Sequence, residues 1–204
     1  MTTRQLIKDP LNLIIIGVAG QGNVLISQLV GNALVSEGYL VTFGQTYGSN
    51  QRGGSVMNYV RVSREFQCSP LIPSGGADVI LGMEPLDALR MLIQFGNPDV
   101  VTIVNPRPIG VAGRPIDYPD LDVLLDTIRG LSAKTWVVNA TDEAQKLGDP
   151  ILANMILAGS LVGSGVLPLD ETSMAPVIRE RFPADFESNM AAFRKGIELY
   201  QVLN

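Results

Sequence analysis

Short apolar runs recur along the first two thirds of the chain, and patterns of helical spacing lie between them. A continuous apolar run is typical of a strand that is covered on both faces of a parallel sheet. Such runs predict strands at Leu11–Gly17, Asp78–Met83, Asp99–Val104 and Thr135–Asn139. Tyr39–Phe43 predicts a further short strand. Ser55–Ser63, whose apolar positions partly alternate, predicts an antiparallel strand nearer to an edge.

Apolar residues at helical spacing predict the elements between and after these strands. The helix through Gln28–Ser36 ends at Gly38 and joins two strands in a right-handed crossover unit. Further helices are predicted at Leu86–Phe95, Leu121–Leu131, Ile151–Gly163, Glu171–Phe182 and Phe186–Leu203. The predicted fold class is α/β, with a doubly wound, mostly parallel, Rossmann-like sheet flanked by helices and a helical C-terminal third. Residues 1–204 are expected to form a single domain.

Two glycine-rich segments follow predicted strands, at residues 17–22 (Gly-Val-Ala-Gly-Gln-Gly) and 47–55 (Tyr-Gly-Ser-Asn-Gln-Arg-Gly-Gly-Ser). Open α/β sheets place their ligand crevice at such strand ends. The guanidinium of Arg52 suits a carboxylate or a phosphate. We therefore expect a surface that binds an anion or the backbone of a partner. Tight turns alone would also explain the glycines, and Arg52 could instead pair with a carboxylate such as Glu84 or fasten its loop to another subunit.

The first glycine segment lacks the features of a conventional dinucleotide site. Its spacing is G-x-x-G-x-G rather than G-x-G-x-x-G, and Phe43-Gly44-Gln45 stands where an acidic residue would bind a ribose hydroxyl. No Lys-Ser/Thr pair follows, as a P-loop would require. A turn that shapes an interface, or a site for a different anionic ligand, fits these residues better.

The composition of the chain excludes several kinds of catalytic and metal-binding site. Hydrophobic residues make up 46% of the chain and charged residues only 17%, which favours a permanent partner chain that covers apolar surface. The chain contains no histidine, so imidazole catalysis and histidine metal ligation are excluded. Cys68 is the single cysteine, whereas an iron–sulfur cluster needs about four thiolates. One free thiol fits a cytoplasmic location.

Neither nucleic acid nor a membrane is expected as a partner. The net charge is −5, and the sequence contains no Lys/Arg run of the kind that contacts phosphate backbones. Pro150–Leu169 contains no charged residue, but its helical part would span only roughly 25 Å at 1.5 Å per residue. This is shorter than the ~30 Å hydrocarbon core of a bilayer, so the segment is expected to be a buried or interface helix.

The two glycine segments together resemble the gamma component of 2-oxoacid:ferredoxin (acceptor) oxidoreductases, and in particular the indolepyruvate-oxidoreductase beta-type subunit. The resemblance extends through Asp78–Pro85, Val137–Thr141, Asn154-Met155 with Gly159, Leu167-Pro168-Leu169 and Asn189–Phe193. It implies a subunit of a complex that oxidatively decarboxylates a 2-oxoacid, with aryl pyruvates among the candidates, and gives an acyl-CoA and CO2. It also implies thiamine diphosphate, magnesium and iron–sulfur clusters on partner subunits, ferredoxin or another acceptor, and coenzyme A as a candidate co-substrate.

The resemblance implies no catalytic residue in this chain but a set that faces substrate, cofactor or partner. The set comprises Gly17, Gly20, Gln21, Gly22, Tyr47, Gly48, Ser49, Asn50, Gln51, Arg52, Gly53, Gly54 and Asn139. Tyr47 departs from the family, which often has histidine at that position. Two other readings of the residues remain open: a stand-alone Rossmann-like oxidoreductase that binds a nucleotide at 17–22, and a scaffold without a ligand.

Overall fold

A six-stranded mixed sheet forms the centre of the molecule. The computed structural model describes residues 5–47, 54–109 and 118–202. The strands are β1 (Leu11–Val18), β2 (Leu40–Tyr47), β3 (Ser55–Ser63), β4 (Val79–Gly82), β5 (Val101–Val104) and β6 (Lys134–Val137). Their spatial order is β2-β3-β1-β4-β5-β6. Strands β1, β4, β5 and β6 are parallel, whereas β3 is antiparallel to both β1 and β2. The mostly parallel sheet and the antiparallel β3 are confirmed.

Strand β1 is central because its side chains can be buried on both faces. Ile14, Ile15 and Ile16 are β-branched residues that favour strands, and all three are at most 1% exposed. The crossover from β1 ends in a parallel β2, but β3 lies between the two strands. Strand β2 is longer than predicted and continues to Tyr47, since its polar second half pairs with β3.

Seven helices occur in the described part of the chain: α1 (Asn23–Ser36), α2 (Pro85–Phe95), α3 (Leu121–Leu131), α4 (Ala140–Lys146), α5 (Ala153–Gly163), α6 (Glu171–Arg181) and α7 (Phe186–Val202). One hydrophobic cluster joins α1 and α4–α7 to one face of the sheet. A second cluster joins α2 and α3 to the other face. The doubly wound fold and the helical C-terminal third are therefore confirmed. No helix in the described ranges is long and apolar enough to cross a membrane.

Helix α5 is the buried helix expected from the uncharged segment, and it crosses α7 at very short range. A Cβ atom built on Gly159 would lie 1.9 Å from the carbonyl oxygen of Phe193, and one built on Gly196 would lie 1.9 Å from that of Ile156. The Ser160 hydroxyl donates to the carbonyl oxygens of Gly196 (3.0 Å) and Ile156 (3.1 Å). The two glycines thus allow the backbones of the two helices to touch.

Candidate functional site

The carboxyl edge of the parallel strands gathers the loops that carry the chemistry. Strands β1, β4, β5 and β6 all end at this edge, and so does β2, while β3 begins there. The helices that follow the neighbouring strands β1 and β4 cover opposite faces of the sheet. A crevice opens at such a switch point, and this is where open α/β sheets bind ligands.

The first glycine segment forms a turn between β1 and α1. Gly20 and Gly22 have φ values of 98° and 91°, in the left-handed region that glycine adopts without strain. The amide of Gln21 donates to the carbonyl oxygen of Val18 at 3.1 Å, which closes the turn. Gly22 is the N-cap of α1 and gives no side-chain cap, so the turn leaves the amino end of the helix open at this edge.

The side chain of Gln21 spans the switch point. Its Oε1 accepts from the amide of Val18 at 2.6 Å, and its Nε2 donates to the carbonyl oxygen of Met83 at 3.2 Å. Gly17 leaves room for this bridge, because a Cβ there would lie 2.7 Å from Gln21 Oε1 and 3.0 Å from Met83 Cβ. Two of the residues expected to face a ligand therefore also hold the ends of β1 and β4 together.

The second glycine segment adjoins the first at its described ends. Residues 48–53, which are Gly48, Ser49, Asn50, Gln51, Arg52 and Gly53, lie outside the described residues, as does the side chain of Tyr47. The backbone of Tyr47 pairs with Val56, and Ser55 pairs with Val18 at the end of β1. The amide of Ala19 donates to the carbonyl oxygen of Gly54 at 3.1 Å. The two motifs therefore meet at the carboxyl edge.

Asn139 and Thr141 follow β6 at the same edge. Asn139 is the N-cap of α4, and its side chain donates to Asp142 Oδ2 at 2.7 Å. Thr141 lies in the first turn of α4, and its hydroxyl accepts from Asn105 Nδ2 at 2.9 Å. Of these two residues, it is Thr141 that lines the cavity described next.

A cavity of about 500 Å³ opens beside the first glycine turn. Its polar lining consists of Gly20, Gln21, Asn105, Arg107, Thr141 and Asn154. Helix α5 begins at this cavity as the continuation of a 3-10 turn, Pro150–Leu152, which the Asp149 carboxylate caps, whereas α1 begins beside the cavity without a side-chain cap. The uncapped amino end of α1 and the guanidinium of Arg107 give the cavity a positive character that suits an anion.

Asn105 holds the floor of this cavity. It follows β5 directly, is 3% exposed, and its Nδ2 donates to the carbonyl oxygen of Met83 as well as to Thr141. Its Oδ1 has no hydrogen-bond partner among the described residues. A buried acceptor without a donor is costly, so a ligand donor at this point would be stabilising. The position of Asn105 at a strand end was the signal that could have identified it.

A buried acidic cluster lies at the amino end of α2, between β3 and β4. Glu84 is the N-cap, and its Oε2 accepts from the amide of Asp87 at 2.8 Å while its Oε1 accepts from the Tyr118 hydroxyl. Burial raises the pKa of the Glu84 carboxyl above its usual range, although the hydrogen bonds from Tyr118, Asp87 and Ile109 oppose that rise. Burial and the neighbouring Glu84 raise the pKa of Tyr118 in turn. Glu84 thus ties Ile109 and Tyr118 to the start of α2.

Asp87 connects the same cluster to the second glycine segment. Its Oδ1 accepts from the Ser55 hydroxyl at 2.7 Å and from Arg90 at 2.9 Å. Its Oδ2 is buried without a partner among the described residues. By contrast, Asp78 lies at the start of β4, at the opposite edge of the sheet, where it pairs with Lys8. Asp78 is therefore not part of this site.

We expect Tyr118→Phe to destabilise the protein by about 1–3 kcal/mol at neutral pH, because ionised Glu84 loses a buried donor. The folded-state pKa of Glu84 would rise further above its unfolded value of about 4.5, so the folded state would bind a proton more readily. The unfolded state is common to both proteins, so the stability difference from the wild type should be small at low pH and should grow as the pH rises through the raised folded-state pKa of Glu84 in the wild type. Urea unfolding at several pH values measures it.

The control for this prediction is the same substitution in a Glu84→Gln background. Glutamine keeps the shape of the side chain but does not titrate, so the pH dependence of the Tyr118→Phe effect should disappear. If the Tyr118→Phe effect were equally large at low and neutral pH in the Glu84 protein, ionised Glu84 would not be the group that the hydroxyl stabilises.

The fold and this edge define a class of protein, namely a sheet domain whose crevice lies between two glycine motifs. Among the described residues, it contains no cluster of three or more metal-ligating side chains. The chain belongs to the pyruvate ferredoxin/flavodoxin oxidoreductase family, whose sequence model matches residues 12–199.

Curated relatives are similar over nearly their whole length. The chain is 34% identical over 190 residues to the indolepyruvate oxidoreductase subunit IorB of Archaeoglobus fulgidus, covering 91% of this chain and 93% of the relative. It is also 34% identical over 192 residues to the IorB subunit of Thermococcus kodakarensis, with 92% and 94% covered. These relatives match the branch that the glycine motifs indicated.

Solved structures show the same fold at lower identity. The gamma subunit of a keto/oxoacid ferredoxin oxidoreductase from Geobacter sulfurreducens aligns with a TM-score of 0.69 and 20% identity, over 94% of this chain and 99% of that one. The 2-oxoglutarate:ferredoxin oxidoreductase of Magnetococcus marinus, solved with 2-oxoglutarate, coenzyme A and succinyl-CoA, aligns with a TM-score of 0.75 and 18% identity. That alignment covers 97% of this chain but only 32% of the longer one.

Proposed function

We propose that residues 1–204 form the gamma-type subunit of a 2-oxoacid:ferredoxin or acceptor oxidoreductase complex, and that the carboxyl edge of its sheet completes the active site of a partner subunit. The complex would oxidatively decarboxylate a 2-oxoacid with coenzyme A to an acyl-CoA and CO2. The observation that carries the proposal is the junction of the two glycine motifs, where Ala19 donates to Gly54 beside an open cavity. The IorB relatives favour an aryl pyruvate as the substrate.

The residues that line the cavity indicate which cofactors this chain could bind. Magnesium with thiamine diphosphate needs oxygen ligands such as carboxylates, and the cavity lining contains none. We therefore assign thiamine diphosphate, magnesium and the iron–sulfur clusters to partner subunits. The uncapped amino end of α1 together with Arg107 suits a phosphate group, which coenzyme A would supply when bound. The reducing chemistry of such a complex and the single free thiol of Cys68 fit a cytoplasmic location.

Within the complex, the residues of this chain would orient the bound groups and enclose the reaction centre, and they would not transfer protons. Gln21 fixes the turn on Met83, Asn105 presents an acceptor, and the first glycine turn borders the cavity through Gly20 and Gln21. Closing a reaction centre in this way excludes water from it. We therefore expect the isolated chain to be inactive.

We expect Arg52→Ala to lower 2-oxoacid-dependent acceptor reduction by the complex by at least about tenfold, or to weaken its assembly, since a charge-assisted contact would be lost. Arg52 lies outside the described residues, so this expectation comes from the sequence motif. Arg129→Ala is the matched control, because Arg129 is exposed on α3 and pairs with Asp126. Wild-type turnover and intact assembly in the Arg52 variant would exclude Arg52 from the site.

A stand-alone nucleotide-binding enzyme is the second candidate, and the open amino end of α1 favours it to the extent that it suits any phosphate. Calorimetry of the isolated chain with NAD(H), NADP(H), FAD and coenzyme A separates the two functions. We expect no tight dinucleotide binding. Tight binding of NAD(H), NADP(H) or FAD would favour the second candidate over the subunit.

A further inference from the structure

The segment that forms β1, α1 and β2 carries almost no charge. Between residues 10 and 51 the only charged side chain is Glu37, although the chain contains 15 Lys and Arg and 20 Asp and Glu residues. This stretch includes all of α1 and β2, which pack against each other at the end of the sheet. Interface cores are depleted in charged residues relative to the rest of a protein surface.

Strand β2 is the outermost strand at this end of the sheet, and no strand of the described part of the chain pairs with its outer side. Leu40 and Phe43 in β2 are 40% and 45% exposed. Soluble proteins protect such edges with lysine, proline or bulges, because free backbone groups pair readily with another chain. β2 contains neither lysine nor proline. An edge of this kind is suited to pairing with the backbone of another chain.

The two faces of β2 differ in what covers them. On the face opposite α1, the segment after β3 packs on the strand: the Thr42 hydroxyl donates to the carbonyl oxygen of Cys68 at 3.0 Å, and Gly44 leaves room for Pro70. On the α1 face, a groove of about 340 Å³ stays open between the helix and strands β2 and β3. It is lined by Val24, Ser27, Gln28, Asn32, Phe43, Gly44, Gln45 and Asn58.

Asn58 gives this groove an unfilled hydrogen-bonding position. It lies in β3 and is only 4% exposed, and its Nδ2 has no acceptor among the described residues. A buried N–H group without an acceptor costs free energy, and native proteins rarely leave one unpaired. Because the lining contains no charged side chain, the matching acceptor is a neutral one, such as a peptide carbonyl.

We propose that the groove between α1 and β2, with the outer edge of β2, docks an extended, uncharged peptide segment of a partner subunit, whose carbonyl group accepts a hydrogen bond from Asn58. Adding a strand to an exposed edge supplies backbone hydrogen bonds, and the groove selects the side chains. We choose a partner subunit rather than a second copy as the occupant, because the groove lining is uncharged and the similar IorB protein of Archaeoglobus fulgidus is named as a subunit of an oxidoreductase. The inference rests on the proposed function for the identity of that partner.

Asn58→Leu separates docking from folding. Replacing an unpaired buried amide by an apolar group of similar size leaves no donor unsatisfied, so the isolated chain should be as stable as the wild type or more stable. Its affinity for the partner subunits should fall at least about tenfold, equivalent to 1.4 kcal/mol or more. A variant that loses stability but binds its partners normally would show that Asn58 serves the fold alone and would overturn its docking role.

Charge insertion tests the surface itself. The double variant Gln28→Lys with Asn32→Lys places two charges on the exposed side of α1, and Gln94→Lys places one on the exposed side of α2 on the other face as the matched control. In the complex purified through a tag on this chain, we expect the double variant to lose most of its partner subunits and the control to retain them. Retention of the partner subunits by the double variant would overturn the docking surface.

Hydrogen exchange measured on the free chain and on the native complex completes the test. We expect slower exchange of the amides of residues 40–46 in the complex. A complex that forms while these amides exchange at the same rate overturns only the docking surface. Recovery of the tagged chain without any partner subunit overturns the proposed function as well. Dimers of the isolated chain with these amides protected would assign the groove to a second copy and overturn the choice of partner.

Discussion

Gly159→Ala is expected to lower the free energy of unfolding by about 3 kcal/mol, at the upper end of the cost of overpacking a core. The added methyl group would lie 1.9 Å from the carbonyl oxygen of Phe193, so α5 and α7 would have to separate along their whole crossing. For a chain of about 200 residues this corresponds to a fall of roughly 6–12 °C in Tm. Urea unfolding followed by circular dichroism measures the change.

Gly130→Ala is the matched control for this effect. Gly130 also lies inside a helix, but a Cβ atom built on it meets no heavy atom within 4 Å. Alanine is the better helix former, so this variant should be more stable than the wild type by about 0.5–1 kcal/mol. If the two alanine variants changed stability alike, the close approach of α5 and α7 would not hold in solution.

Gly22→Ala is expected to lower the turnover of the complex by at least about tenfold while the chain stays folded. Alanine at a φ of 91° costs about 1–3 kcal/mol of backbone strain. Its Cβ would also lie 2.6 Å from Nδ2 of Asn154 and would push that side chain into the cavity at the start of α1. Acceptor reduction by the assembled complex, measured at equal loading of this chain, tests the prediction.

Gly20→Ala retains the first of these two effects, the backbone strain, and lacks the second, the contact with Asn154. Gly20 has a similar φ of 98°, but nothing lies within 4 Å of the position of its Cβ atom. This variant should therefore lose similar stability to Gly22→Ala and should keep more of the turnover. Equal turnover in the two variants would mean that backbone strain alone, and not the contact with Asn154, accounts for the loss.

The sheet could be predicted because its information is local. The apolar runs at β1, β4 and β5 each identify a largely buried strand, β6 is recognisable as the last clear strand around Trp136, and every one is found within a few residues of its predicted bounds. The length of β2 could not be predicted, since Gly44 and Gln45 become part of a strand only by pairing with β3. The insertion of β3 between β1 and β2 depends on the same long-range pairing.

The candidate site, like the sheet, could be predicted from the sequence only in part. The glycine spacing indicated the turn at 17–22 and its place at a strand end. It did not indicate that Gln21 bridges to Met83, because that contact joins residues 62 positions apart. Asn105 and Arg107 were missed for the same reason: they follow β5, belong to no motif, and meet Asn154 of α5 only through the fold. The role of Arg52 stays a prediction of the sequence.

The central claim is that this chain has no reaction centre of its own and completes that of a partner subunit. Reconstitution tests it most directly: 2-oxoacid-dependent acceptor reduction is measured for the isolated chain, for the partner subunits alone, and for both together. We predict no turnover by the isolated chain, weak turnover by the partner subunits, and full activity only when the chain is added back. Turnover of a 2-oxoacid by the isolated chain, or full activity of the partner subunits without it, would contradict the claim.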